Sequence, residues 1–225
     1  MHDPSPFIIT IDGPAGVGKT TLAKKVAEAL HVAYLDSGAM FRTMALRLGV
    51  NAWELPGQIL VPRLSGLSFD VQGVGAATRL FCDKSPVGLE ARTEEVGMWA
   101  SRLATRPEVR DFLKERQREI GAHTSLVAEG RDMGTVVFPN AAHKFFLDAD
   151  ARVRAERRAT QLRQMGKEAD VSAIEADLRA RDHQDRTRAV APLVPAPDAV
   201  VLDTTALDLD EVFARIMREI GRMAT

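Results

Sequence analysis

The 225-residue chain contains one cysteine, Cys82, so an intrachain disulfide is impossible and a disulfide-stapled extracellular scaffold is excluded. It has no apolar run of the ~18 residues that a membrane helix needs and no charged-then-apolar leader, which points away from membrane insertion and export. Aromatic residues make up only 5%, and 30 Lys and Arg nearly cancel 31 Asp and Glu. Neither a stacking surface nor a broad positive field therefore advertises a nucleic-acid partner. Internal repeats and low-complexity tracts are missing too. The expectation is a cytoplasmic monomer with a core of its own, in which Cys82 is a buried strand residue.

What is present is an alternation of strands and helices. Five β-rich runs recur: "FIITID" (7–12), "VAYLD" (32–36), "SLVAE" (125–129), "KFFLD" (144–148) and "AVVLD" (199–203). With segments of helical spacing between most of them, they predict an α/β domain built on a five-stranded parallel sheet with flanking helices. Each run ends in Asp or Glu, and the carboxyl ends of parallel strands border the ligand crevice. Asp12, Asp36, Glu129, Asp148 and Asp203 thus mark one rim, Asp203 more as a turn former than as a functional group. Within 51–90, "LSFDVQGVGAATRLFCD" predicts an inserted hairpin about a Gly-rich turn. Helices are expected over "EEVGMWASRLA", over "PEVRDFLKERQREI" with Pro107 in its first turn, from Ala151 to about Met165, and from near Val171. A last one, "VFARIMREI", follows an Asp208/Glu211 capping box. The three prolines of "VAPLVPAPDA" (190–199) make an extended connector into the last strand.

Gly13-Pro14-Ala15-Gly16-Val17-Gly18-Lys19-Thr20, followed by Thr21, satisfies G-x-x-x-x-G-K-[ST] between an apolar strand and an amphipathic helix. Its glycines let the backbone wrap an anion, successive N–H groups and the helix N-terminus supply positive charge, Lys19 reaches the outer phosphates and the Thr20 hydroxyl can ligate Mg²⁺. This P-loop implies a bound nucleoside triphosphate. No N-K-x-D segment reads guanine, and the long glutamate-bearing run of motor ATPases is missing; in "FFLDAD", Asp148 reads as a rim or turn residue. A small kinase is left, which needs a cationic acceptor site beside the γ-phosphate and a mobile arginine-bearing cover.

"LDSGAMFR" places Ser37 and Arg42 after the second strand, and "AEGRDMGTVVFP" places Arg131 and Asp132 after the third, so two arginines enter one crevice and suggest an anionic acceptor. In "RARDHQDRTRAVAPLVP", Arg181, Asp185 and Arg188 fall at i, i+4 and i+7 of a helix, share a face, and allow an Arg181–Asp185 pair.

The combination of "IDGPAGVGKTT", "YLDSGAMFR", "EGRDMGTVVFP" and "RDHQDRTRAVAPLVPAPDAVVLDTT" resembles the bacterial cytidylate kinase family, which phosphorylates CMP and dCMP with ATP. The likeness covers nearly the whole chain and is weakest over 51–90. It implies a fold similar to adenylate kinases, with a core at about 1–50, 106–150 and 190–225, a monophosphate-binding insertion at about 51–105 and a helical lid at about 151–189. It also implies that Ser37, Arg42, Ser101, Arg110, Arg131, Asp132, Arg181, Asp185 and Arg188 surround the monophosphate. Cytosine presents an amino group beside an acceptor nitrogen, so Asp132 suits the amine, while Arg110, Arg188, Ser37 and Ser101 supply donors. Asp185 with Arg181 then suits the sugar hydroxyls, and Arg42 with Arg131 the α-phosphate.

In the lid region, Arg154, Arg157 and Arg158 have i, i+3, i+4 spacing and read as a stripe that repels itself until anions arrive, with Arg157 and Arg158 equally placed as the arginine over the transferring group. Phe41 stands where the family commonly has tyrosine, Thr20 where glycine is frequent, and His183-Gln184 where a more charged pair is usual. A different P-loop small-molecule kinase, of the shikimate or dephospho-coenzyme A type, and a nucleotide-gated binding module are the competing readings.

Overall fold

The computed structural model describes residues 6–223. In chain order the elements are β1 (Ile8–Asp12), α1 (Lys19–Ala29), β2 (Ala33–Asp36), α2 (Ser37–Leu48), α3 (Gly57–Ser65), β3 (Phe69–Gln72), β4 (Arg79–Cys82), β5 (Ser85–Pro86), α4 (Glu94–Leu103) and α5 (Pro107–His123). They continue with β6 (Leu126–Gly130), β7 (His143–Asp148), α6 (Ala151–Gln164), α7 (Val171–Thr187), β8 (Val200–Asp203) and α8 (Leu209–Met223). The five long-range strands form one parallel sheet in the order β2-β6-β1-β7-β8, as the β-rich runs predict.

Alternation along the strands divides the core in two. Ile9, Ile11, Val127, Phe145 and Leu147 join Leu22 and Val26 of α1 and Val212 and Ile216 of α8 on one face. Ala33, Leu35, Leu126 and Ala128 join Met40, Leu103, Val109 and Leu113 on the other. Successive side chains of a strand point to opposite faces, so helices on both sides bury both faces of the central strands, while on the edge strand β8 Val201 stays exposed. The register pairs Asp12 with Gly130, Asp36 with Glu129 and Asp148 with Asp203, so the carboxyl ends align and the loops leaving them converge. Both neighbours of the central β1 lie far along the chain, which opens the crevice where the P-loop leaves it.

The insertion is a three-stranded antiparallel sheet, not a single hairpin: β3 pairs with β4, and a tight turn through Asp83 and Lys84, both at positive φ, adds the two-residue β5. That extra strand is too short to leave a periodic signal. Cys82 is buried on β4. Helix starts follow the local chemistry. Asp150 caps α6, Asp170 caps α7, Thr93 caps α4, and Asp208 and Glu211 bond each other's backbone N–H reciprocally ahead of α8. Residues 190–199 form the irregular connector that their prolines dictate. Among the described residues no helix is long and apolar enough to cross a membrane.

Candidate active site

β1 delivers the P-loop into a cleft of about 520 Å³ lined by residues of all the regions singled out above. Gly13 has φ 151°, and a Cβ there would lie 2.2 Å from the Leu147 carbonyl oxygen, so only glycine lets the loop leave the sheet. Gly18, at φ 93°, is the N-cap of α1. Ala15, Gly16, Lys19 and Thr20 line the cleft, whereas Val17 is buried in the core and Thr21 is exposed on the first turn of α1. The Lys19 ammonium donates to the Pro14 carbonyl at 2.6 Å. Burial, and then the Arg131 guanidinium, push its pKa down to about 7. An incoming triphosphate offers that ammonium a stronger partner and favours its charged form.

Three of the rim carboxylates near this loop have different partners. Asp36 caps α2 by accepting from Ala39 N at 2.8 Å and pairs with Arg42 at 3.1 Å. Glu129 accepts from the Tyr34 hydroxyl, and burial followed by the nearby Asp36 charge raises its pKa. Asp12 accepts from the backbone of Met133 and Gly134. The other two rim residues are structural: Asp148 pairs with Arg186 at 2.9 Å, and Asp203 accepts from Thr205 N at 2.8 Å in a turn. A hollow of about 700 Å³ beside them holds none of the P-loop residues, and its Arg186 and Arg179 are already paired, with Asp148 and Glu175.

On the acceptor side, Ser37, Arg42, Ser101, Arg110, Arg131, Asp132, Arg181, Asp185 and Arg188 all line the same cleft. Asp132 is 5% exposed and pairs with Arg110, also buried, and with Arg188 at 3.5 Å. Burial lowers the pKa of Arg188, with Arg110 adding to the effect. Ser37 is buried and packs against Gly130, where a Cβ would lie 2.7 Å from its Oγ. Ser101 donates to Gln184 Oε1 at 3.4 Å, bridging α4 to α7.

Two expectations about pairing need correction. Asp185 does not pair with Arg181 along the helix. It accepts from Arg131 Nε at 2.7 Å, the guanidinium that follows β6, and lies 3.7 Å from Arg188 at the end of its own helix. Nor is Arg188 on that helix, since α7 ends at Thr187 and Arg188 turns extended (φ −61°, ψ 140°), with its Nε bonding the Ala191 carbonyl.

The lid arginines are also not a self-repelling stripe. Arg154 is buried, pairs with Asp182 at 2.5 Å and donates to the P-loop carbonyl of Ala15 at 2.9 Å. Arg157 donates to the Thr204 and Leu207 carbonyls at 2.6 and 3.1 Å, which ties α6 to the loop after β8. Arg158 alone of the three lines the acceptor cleft. The sequence reading missed Tyr34, Asp182 and Gln184. Spacing along the chain does not mark their partners, which come from packing between distant elements: β2 on β6 for Tyr34, α6 on α7 for Asp182 and α4 beside α7 for Gln184.

A P-loop at the carboxyl edge of a parallel sheet, faced across one cleft by a buried carboxylate held between two arginines, defines a P-loop phosphotransferase with a built acceptor site. The chain belongs to the cytidylate kinase family, whose model matches residues 9–222. It is 55% identical over 219 residues to the cytidylate kinase of Nitratidesulfovibrio vulgaris (strain Hildenborough), covering 97% of this chain and 94% of that protein. The cytidylate kinase of Oleidesulfovibrio alaskensis is 54% identical over 214 residues, covering 95% and 98%. That of Lawsonia intracellularis is 45% identical over 213 residues, covering 95% of each.

Proposed function

We propose that this protein transfers the γ-phosphoryl group of ATP to CMP or dCMP, giving ADP and CDP or dCDP. The observation that carries the reading is Asp132, a buried carboxylate clamped by Arg110 and Arg188 in the cleft that also holds Lys19. A carboxylate accepts from the exocyclic amine of cytosine and repels the carbonyl that uracil presents there. Flanking arginines and the hydroxyls of Ser37 and Ser101 supply donors for the remaining acceptors of the ring. A polar pocket left unpaired by the wrong base discriminates strongly.

The donor's β- and γ-phosphates sit in the nest of loop N–H groups from Gly13 to Thr21, with Lys19 reaching the outer oxygens. Arg42 and Arg131 hold the acceptor phosphate, and Asp185 with Arg181 holds the sugar. An oxygen of that phosphate attacks the γ-phosphorus in line as the bond to the β–γ bridging oxygen breaks, and Arg158 takes up charge on the transferring group. The attacking oxygen is already ionised near neutral pH, so no general base is needed.

Mg²⁺ bound with ATP supplies charge neutralisation at the phosphate oxygens. Thr20 is the direct protein ligand in this reading, and Asp36 and Glu129 supply hard oxygens nearby. Among the described residues no three His, Cys, Asp or Glu cluster as a metal cage, which suits an ion that keeps most of its waters. The insertion at 51–105 and the lid at 151–189 are the parts that close on substrates, and the enzyme works as a cytoplasmic monomer. The test is ADP release with CMP, dCMP, UMP, AMP and shikimate as acceptors: turnover of CMP and dCMP with little of the rest is expected, and equal turnover of UMP and CMP defeats the base-reading argument.

A further inference from the structure

Among the described residues, Asp12, which lies behind the cleft, is the one buried carboxylate that the mechanism above does not use. It is 4% exposed, immediately precedes the P-loop, and spends each oxygen on one of two consecutive backbone donors: Met133 N at 2.9 Å to Oδ1 and Gly134 N at 2.7 Å to Oδ2. Those donors open the single π-turn Met133–Val137, whose N-cap residue is Asp132. An aspartate at an N-cap ordinarily satisfies such N–H groups with its own side chain. Asp132 makes no side-chain cap bond here, and its carboxylate is turned to Arg110 and Arg188 instead. The fit around the turn is close. A Cβ on Gly134 would lie 2.8 Å from Thr10 Oγ1 and 3.4 Å from Asp12 Oδ2.

We propose that Asp12 is a positioning residue for cytosine recognition, which caps the turn in place of Asp132 and so releases the Asp132 carboxylate into the acceptor cleft. The inference rests on the reading of Asp132 as the base reader. It ties donor and acceptor sites together, since the residue that launches the phosphate loop also sets the orientation of the base reader.

Asparagine at position 12 keeps the size of the side chain but has one acceptor oxygen for two N–H groups. Asp12→Asn therefore draws the Asp132 side chain back to cap its own turn. The CMP-over-UMP ratio of kcat/KM is expected to fall by about tenfold or more, while KM for ATP changes by less than about twofold. In Asp12→Asn/Asp132→Asn the ratio is expected to equal that of Asp132→Asn alone, because one residue acts through the other. A purely structural Asp12 lowers thermal stability and leaves the ratio at the wild-type value, which overturns the proposal.

Should Asp12→Asn not fold, the wild-type protein supplies the test. Burial raises the Asp12 pKa to about 6, so protonation below that pH removes one acceptor. The ionisable groups facing Asp12 are Asp132 and Lys19; β6 and β7 beside it present Gly130 and Phe146, and the Lys144 ammonium is turned away to Pro139 and Asp198. Titration on the donor side and of the acceptor phosphate affects CMP and UMP alike and cancels in the ratio. The ratio is expected to be flat above pH ~7 and to fall below ~6; a flat ratio down to pH 5.5 overturns the proposal. Equal turnover of CMP and UMP by the wild type at every pH instead strikes the reading of Asp132 itself.

Discussion

Asp185 of α7 holds Arg131 Nε at 2.7 Å, so a carboxylate of α7 occupies the guanidinium to which the acceptor phosphate is assigned in the proposed function. On that proposal an arriving phosphate takes the guanidinium from Asp185, which in turn becomes free for the sugar hydroxyls. The exchange links filling of the phosphate site to availability of the sugar reader.

Asp185→Asn weakens this link between α7 and the loop after β6. Without nucleotide, backbone amides of α7 are expected to exchange several-fold faster in the variant, while those of β1 and β6 keep their protection. Unchanged exchange in α7 would mean that the lid is held by Arg154–Asp182 alone.

The two lid arginines separate by partner. Arg158→Ala is expected to lower kcat by about 10²-fold or more with little change in melting temperature, because it loses a charge that counts only in the transition state. Arg157→Ala leaves the Leu207 carbonyl without its donor and the Thr204 carbonyl with only the Leu207 N–H, so its main effect falls on thermal stability and on KM for ATP. Steady-state kinetics with a melting curve on each variant tells them apart; the reverse pattern would exchange the two assignments.

Asp132→Ala leaves the buried Arg110 without a carboxylate and the largely buried Arg188 with only Asp185, at 3.7 Å. Removal of one partner from such a cluster costs about 3–5 kcal/mol, so a clear drop in urea midpoint is expected together with a loss of CMP-over-UMP selectivity. Affinity for ATP should hold within about twofold, read by titration with a non-hydrolysable analogue. Selectivity equal to that of the wild type would show that another residue reads the base.

Lys19→Ala removes the only P-loop side chain placed to follow the transferring charge, and transfer is expected to drop below about 10⁻³ of wild type. CDP formation from ATP and CMP over hours is the measurement, with circular dichroism to establish folding.

Stability should depend on pH through Asp12. Its folded pKa, about 6, lies above the ordinary 3.8, so between these values the folded chain holds a proton that the unfolded chain has released. The contribution is full below about pH 4 and is lost as pH rises through about 6. The difference in urea midpoint between wild type and Asp12→Asn is expected to shift in favour of the variant over that window; a pH-independent difference would place the Asp12 pKa at its ordinary value.

The five strand runs, the P-loop and the Asp208/Glu211 capping box were legible because each rests on local rules: a short apolar run bounded by turn residues, glycine at positive φ, and a side-chain oxygen within three residues of an unpaired N–H. Resemblance carried the acceptor residues, and the cleft does bring Ser37, Ser101, Arg110 and Arg188 together from four separate stretches. The pairings were not legible. Helical spacing offered Asp185 a neighbour in Arg181, yet the sheet order sets β6 next to β1 and brings Arg131 across to it.

Chemistry that lies within one stretch of chain, such as a loop that wraps phosphate or a helix that begins at an aspartate, is written in the order of the residues and needs no partner from elsewhere. Which charge meets which is another matter. Arg158 and not Arg157 faces the cleft, Asp12 and not Asp132 caps the π-turn, and Arg131 and not Arg181 takes Asp185. Each was decided by packing between distant segments, because a buried charge goes to whichever partner the folded interior sets within reach and shields from water.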